Sequence, residues 1–149
     1  MSVSIDVATE NVRTPLGRET IAAIARAALR GERVRDALIS ITLVDRPSIA
    51  RLNARHLSHK GPTDVISFAF ERATQSDPVI GDIYICPAVA SENAKTRGES
   101  VRDELARLVV HGVLHVLGYD HPEDESREGS DMWRRQERLL RRLGRGARV

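Results

Sequence analysis

The chain is poor in the features that would mark a secreted or membrane protein. Of its 149 residues one is a cysteine, Cys86, so no intrachain disulfide is possible. That suits a reducing, cytosolic compartment, and Cys86 itself reads as a small apolar residue buried at a strand end. No stretch approaches the roughly 20 consecutive apolar residues of a membrane span. The opening "MSVSIDVATENV" has neither a basic n-region nor an apolar h-region, so no secretory signal is expected. Charge of one sign is not in excess either: 23 Lys and Arg face 21 Asp and Glu, a net +2. Internal repeats, low-complexity tracts and Pro/Gly/Ser-rich linkers are absent. What remains is a chain with 41% hydrophobic and 30% charged residues, a composition expected of a globular protein and of a length that fits one domain, 1–149, with a sizeable core.

The pattern along the chain reads β-α-β-α-β-β-α-α-α. "SIDV" (4–7), "ALISITLV" (37–44), "VISFAFE" (65–71) and "GDIYIC" (81–86) read as strands, and 72–80 as a mobile loop. Helical periodicity runs over 17–31. Asp45 caps a second helix that carries Pro47 in its first turn. A third covers 87–98 and ends at Gly98. Ser100 opens a fourth with S-x-x-D, a capping-box variant, which runs to Leu117 with Gly118 as its C-cap. A fifth covers roughly Glu123 to Leu143. The expectation is an α+β domain: a small mixed sheet of about four strands packed with about five helices.

The fourth helix carries the chemistry. Leu105, Val109, Gly112 and Val116 share one face, and Val110, Val113, Leu114 and Leu117 fill much of the rest, so the helix is expected to be buried. Within it stand His111 and His115, four residues apart and therefore stacked on one side. Gly118 lets the chain turn back toward His121. Three neutral imidazoles bind zinc at ~2.0–2.1 Å and leave a fourth position for water. With no cysteine nearby, an open site at the helix end is expected, one zinc per chain; nickel, cobalt or copper would also suit the ligands. Asp120 is either a partner of the site, a base, or a loop cap, and Tyr119 either touches substrate or packs.

"HGVLHVLGYDH" (111–121) has the histidine and glycine spacing of a metzincin protease, H-E-x-x-H-x-x-G-x-x-H, but Gly112 replaces the glutamate that serves there as general base. A peptide bond has no internal nucleophile, and this argues against proteolysis. Gly112 is expected instead to leave open space beside the metal. "RRQERLLRRLGRGARV" (134–149), with seven arginines and Glu137 as its one acid, is either a solvated helix face or a phosphate-binding patch.

The same segment, "HGVLHVLGYDH", resembles the signature of the YbeY family of bacterial endoribonucleases. "GPTDVISFAFE" (61–71) is similar to that family's P-T-D-V-L-S-F block, with Ile66 in place of leucine, and "GDIYIC" matches its G-D-I strand. The blocks come in the family's order over essentially the whole chain. The resemblance implies an α+β fold, one zinc on His111, His115 and His121, and cleavage of single-stranded RNA. It further implies 16S ribosomal RNA 3′-end maturation and ribosome quality control on ribosomal particles in the cytoplasm, with no membrane and no identified protein partner. One position departs: an arginine five residues before the proline of P-T-D is Leu57 here. Arg55 is the residue expected to take its place on the substrate side, with His59 and Lys60 as neighbouring polar groups. A non-enzymatic ribosome-assembly factor with a structural metal is the other reading of the same residues.

Overall fold

The computed structural model describes residues 2–57, 60–120 and 130–146, with side chains to 143. Four strands and five helices lie within them, in the expected order: β1 (Val3–Thr9), α1 (Arg18–Gly31), β2 (Ala37–Leu43), α2 (Arg46–Leu57), β3 (Val65–Ala69), β4 (Val79–Ile85), α3 (Pro87–Arg97), α4 (Val101–Val116) and α5 (Asp131–Gly146). None of the helices is long and apolar enough to cross a membrane.

The sheet is mixed, in the order β1-β2-β4-β3. β1 runs parallel to β2 and β2 to β4, while β3 closes the edge antiparallel to β4. Strand alternation sorts the side chains. Ile39, Ile41 and Leu43 of β2, with Val79, Ile83 and Ile85 of β4, are buried on the face that α1 and α4 cover. The opposite face is covered in part by α2, whose Ile49 and Leu52 pack with Ile66, Phe68 and Tyr84. Burying the apolar rows of β2 and β4 against α1 and α4 stabilises the fold by about 25 cal/mol per Å² of apolar surface removed from water.

The caps fall where the sequence puts them. Asp45 accepts from the Ser48 backbone N–H at 2.9 Å, opening α2, and the Ser100 hydroxyl accepts from the Asp103 backbone N–H at 3.1 Å, opening α4. Gly98 ends α3 in the left-handed region. Cys86 is fully buried just past β4, as expected. Several boundaries differ, β1 running longer and β3 ending earlier than expected, and two of the differences have a visible cause. Val79 and Ile80 belong to β4, so the preceding loop is shorter; Asp77 ties it into a turn by accepting from the Thr74 backbone N–H. The last helix begins at Asp131, with the Ser130 hydroxyl accepting from the Trp133 backbone N–H, and not at Glu123. Residues 121–129, with His121, lie outside the described residues, as does His59.

Candidate metal centre

α4 is a buried helix wedged between the sheet, α3 and α5, and its burial dictates its composition. Leu105, Val109, Val110, Val113 and Leu114 are inaccessible to solvent. His111 is only 4% exposed, and an imidazole there needs a partner. The partner is Gln136 of α5, whose Oε1 lies 2.6 Å from His111 Nδ1. One turn on, the half-buried His115 presents its ring 4.6 Å from that of His111, centroid to centroid, with the planes 76° apart. The chain then leaves the helix abruptly. Gly118 (φ 102°) allows a Schellman turn in which the Tyr119 N–H donates to the Leu114 carbonyl and the Gly118 N–H to that of His115. His121 follows Gly118 by three residues in sequence.

Two imidazoles on successive turns, one held through its Nδ1, are a donor set that suits zinc or a similar ion. Among the described residues no cluster of three His, Cys, Asp or Glu side chains forms around them, and the expected third histidine is not among those residues.

The position of the missing glutamate is now explained. Gly112 does not open onto the histidines. It faces the sheet, where a Cβ would stand 2.7 Å from Cγ2 of Ile83. Gly112 therefore lets α4 approach β4 closely, and the expected open space beside the metal is filled by Ile83.

His111 and Gln136 line a cleft of about 340 Å³ between α3, α4 and α5, together with Asp64, Asn93, Arg97 and Trp133. Asp64, from the P-T-D block, shapes its rim: it accepts from Asn93 Nδ2 at 3.0 Å and from the Val65 N–H at 2.8 Å. The Arg97 guanidinium lies over the Trp133 ring, 5.1 Å from its centroid.

Along the cleft, which Glu104 and Arg107 also line, runs a charged network that the sequence reading missed. Gln136 Nε2 donates to Glu137 at 3.0 Å. Glu137 accepts from Arg107 Nε at 3.1 Å, and Arg107 also bonds Glu99 at 2.5 Å and the buried Glu104 at 2.9 Å. Burial opposes the Arg107 charge, but the bonds to Glu99 and Glu137 outweigh it and raise its pKa. The same contact to Arg107 holds Glu99 below the usual carboxylate range. The sequence did carry one signal: Met132, Gln136 and Leu139 form the buried stripe of α5, and one of the three is polar.

The remaining expected residues are not gathered around the pair. Arg55 is exposed on α2, in the layer across the sheet from α4, and has no side-chain hydrogen bond among the described residues. Lys60 and Leu57 are exposed, and so is Asp120 just past the turn. Tyr119 packs against the core, and its bond to Glu32 raises its pKa. The arginine run is divided. Arg135 pairs with Glu32 at 2.7 Å and Arg134 with Asp131, whereas Arg138, Arg141 and Arg142 are exposed on the outer face of α5. The side chains of Arg145 and Arg148 lie outside the described residues.

Known proteins share this fold. The solution structure of TM1509 from Thermotoga maritima superposes with a TM-score of 0.64 over 97% of this chain and 91% of that one; at 24% identity it speaks to the fold alone. The endoribonuclease YbeY of Thermobifida fusca is 42% identical, covering 85% of this chain and 86% of its own. That of Salinispora tropica is 40% identical, covering 93% and 94%. A family model described as endoribonuclease YbeY matches residues 4–144, from the first strand into the last helix. On that match and those relatives, the chain belongs to the YbeY family.

Proposed function

We propose that this chain, over residues 1–149, is a single-domain zinc-dependent endoribonuclease that processes ribosomal RNA, with one ion held by His111, His115 and His121. The observation that carries the reading is the pair His111 and His115, one turn apart at the end of a buried helix, with a Schellman turn directly after them. The relatives named endoribonuclease supply the reaction class. The finer reading places the enzyme in the cytoplasm, acting on single-stranded 16S ribosomal RNA at its 3′ end and on ribosomal particles under quality control.

When bound, zinc supplies a Lewis acid and a water acidified to a pKa of ~7. The chain's own residues do the rest. The cleft wall beside His111 offers a cation, Arg97, and a flat indole, Trp133, groups that suit a phosphodiester and a base. Arg55, exposed on α2, is proposed for the substrate side, so Arg55→Ala is expected to lower cleavage more than folding stability.

The test is metal analysis of the purified protein alongside cleavage of a structured RNA with a single-stranded 3′ tail. Expected are one zinc per chain and cuts confined to the tail, with both lost in His115→Ala. Full metal occupancy in that variant, or a metal-loaded protein that leaves the tail intact, contradicts the reading; the second result favours a non-enzymatic assembly factor.

A further inference from the structure

We infer that Gln136 is a positioning residue for the histidine site: it fixes His111 in the tautomer with the proton on Nδ1, leaving the Nε2 lone pair to serve as the ligand. The inference rests on the metal reading above for its purpose, but its geometry stands apart from any ion.

The direction of the His111–Gln136 bond follows from the far end of the glutamine. An amide has one accepting and one donating end. Gln136 Nε2 lies 3.0 Å from Oε2 of Glu137, a carboxylate paired with Arg107, and only the NH2 end can donate there. Oε1 is therefore the end that faces His111 Nδ1 at 2.6 Å, and an amide oxygen only accepts. The proton must sit on Nδ1. A reversed amide would set an oxygen against the Glu137 carboxylate. Arg107 keeps that carboxylate in place through contacts at 3.1 and 3.3 Å, and is itself held by Glu99 and Glu104.

Burial makes this choice of residue informative. Gln136 is 1% exposed, between Met132 and Leu139 on the core stripe of α5. A hydrophobic residue there would pack without needing any polar partner. Groups that accept from the second nitrogen of a ligating histidine orient the ring and raise its basicity, and losing one typically weakens metal binding 10–100-fold. α5 thus contributes to the site although it holds none of its expected ligands.

The experiment uses long-range 1H–15N spectra of the full, metal-free protein labelled in its histidines, which distinguish a protonated from a bare ring nitrogen. His111 is expected as a single Nδ1–H tautomer. An Nε2–H tautomer in the unsubstituted protein overturns the inference without any variant. Gln136→Met keeps the chain length of the side chain and removes the acceptor. It is expected to lose the fixed tautomer and to bind zinc roughly 10–100-fold more weakly in competition with a chromophoric chelator. Gln136→Glu combined with Glu137→Gln keeps an acceptor facing His111 without setting two carboxylates together, and is expected to restore both. A folded Gln136→Met with unchanged tautomer or unchanged zinc affinity refutes the inference. If the unsubstituted protein binds no zinc, the metal reading fails, while the tautomer still reports whether Gln136 sets the His111 proton.

Discussion

Gly112 and Ile83 meet across the interface of α4 with the sheet so closely that no side chain fits between them. A Cβ on Gly112 would lie 2.7 Å from Cγ2 and 3.2 Å from Cδ1 of Ile83, which is itself fully buried in a central strand. Glycine inside a helix costs roughly 1 kcal/mol relative to alanine, so Gly112→Ala would stabilise α4 if space allowed. Space does not allow it, and overpacking a tight core costs about 1–3 kcal/mol. Gly112→Ala is expected to lower the denaturant midpoint, and to lower it less when introduced into a chain that already carries Ile83→Ala, which lacks the clashing Cγ2. A midpoint that rises on Gly112→Ala would show that the contact is not tight.

Acid should loosen the charged network around Arg107. Glu99 is held below its ordinary value of 4.5 by its hydrogen bond to Arg107. A carboxylate depressed in the folded state contributes stability above its unfolded pKa, and that contribution disappears as pH falls through the folded value. Stability is therefore expected to fall as pH drops below about 4.5. Glu99→Gln should flatten that limb of the stability curve while changing little near neutrality beyond the loss of one ion pair. An identical acid limb in the variant would remove Glu99 from the account.

Much of this was legible in the sequence, for reasons that are local. β2 and β4 announce themselves because β-branched residues alternate where one face is buried. Ser100 and Gly118 bracket α4 because a cap hydroxyl and a left-handed glycine act on their own neighbours. The spacing of His111 and His115 fixes a shared helix side. What stands opposite a side chain is not local. Gln136 meets His111 across 25 positions and Arg107 meets Glu137 across 30, and no periodicity within one helix reports such a partner. Gly112 departs from expectation for the same reason: its helix face is legible in the sequence, and Ile83 opposite it is not. The sequence predicts a start for α5 near Glu123, whereas Ser130 caps a helix that starts at Asp131.

The outer face of α5 is expected to hold RNA phosphates. Arg138, Arg141 and Arg142 are exposed there with no acidic partner among the described residues, unlike Arg135, which braces α5 against Glu32. Each phosphate neutralised on a single strand releases counterions, at a slope of about 0.7 per contact. Replacing the three by glutamine should weaken RNA binding and flatten its logarithmic salt dependence by roughly 2. Arg135→Gln is the contrasting control, expected to lower stability more than binding. An unchanged salt slope in the triple variant would mark the stripe as a solvated helix face.

Cleavage is expected to use the RNA's own nucleophile. Gly112, at the position where a metzincin carries its catalytic glutamate, is packed against Ile83, so this chain offers no carboxylate there to activate water. A 2′-hydroxyl beside the scissile phosphate removes that need. Its oxygen bonds to phosphorus as the bond to the 5′-oxygen breaks, and the proton released by the first ends on the second. The products are a 2′,3′-cyclic phosphate and a 5′-hydroxyl. Attack by water leaves a 5′-phosphate when the 3′-oxygen departs, and it does not require the 2′-hydroxyl. An RNA with a single 2′-deoxy nucleotide immediately 5′ of the mapped cut separates the two routes. Cleavage at that bond should disappear while cuts elsewhere in the same RNA persist. Undiminished cleavage there, with a 5′-phosphate on the downstream fragment, would establish water as the nucleophile and direct the search for its base to groups other than residue 112, beginning with Asp120.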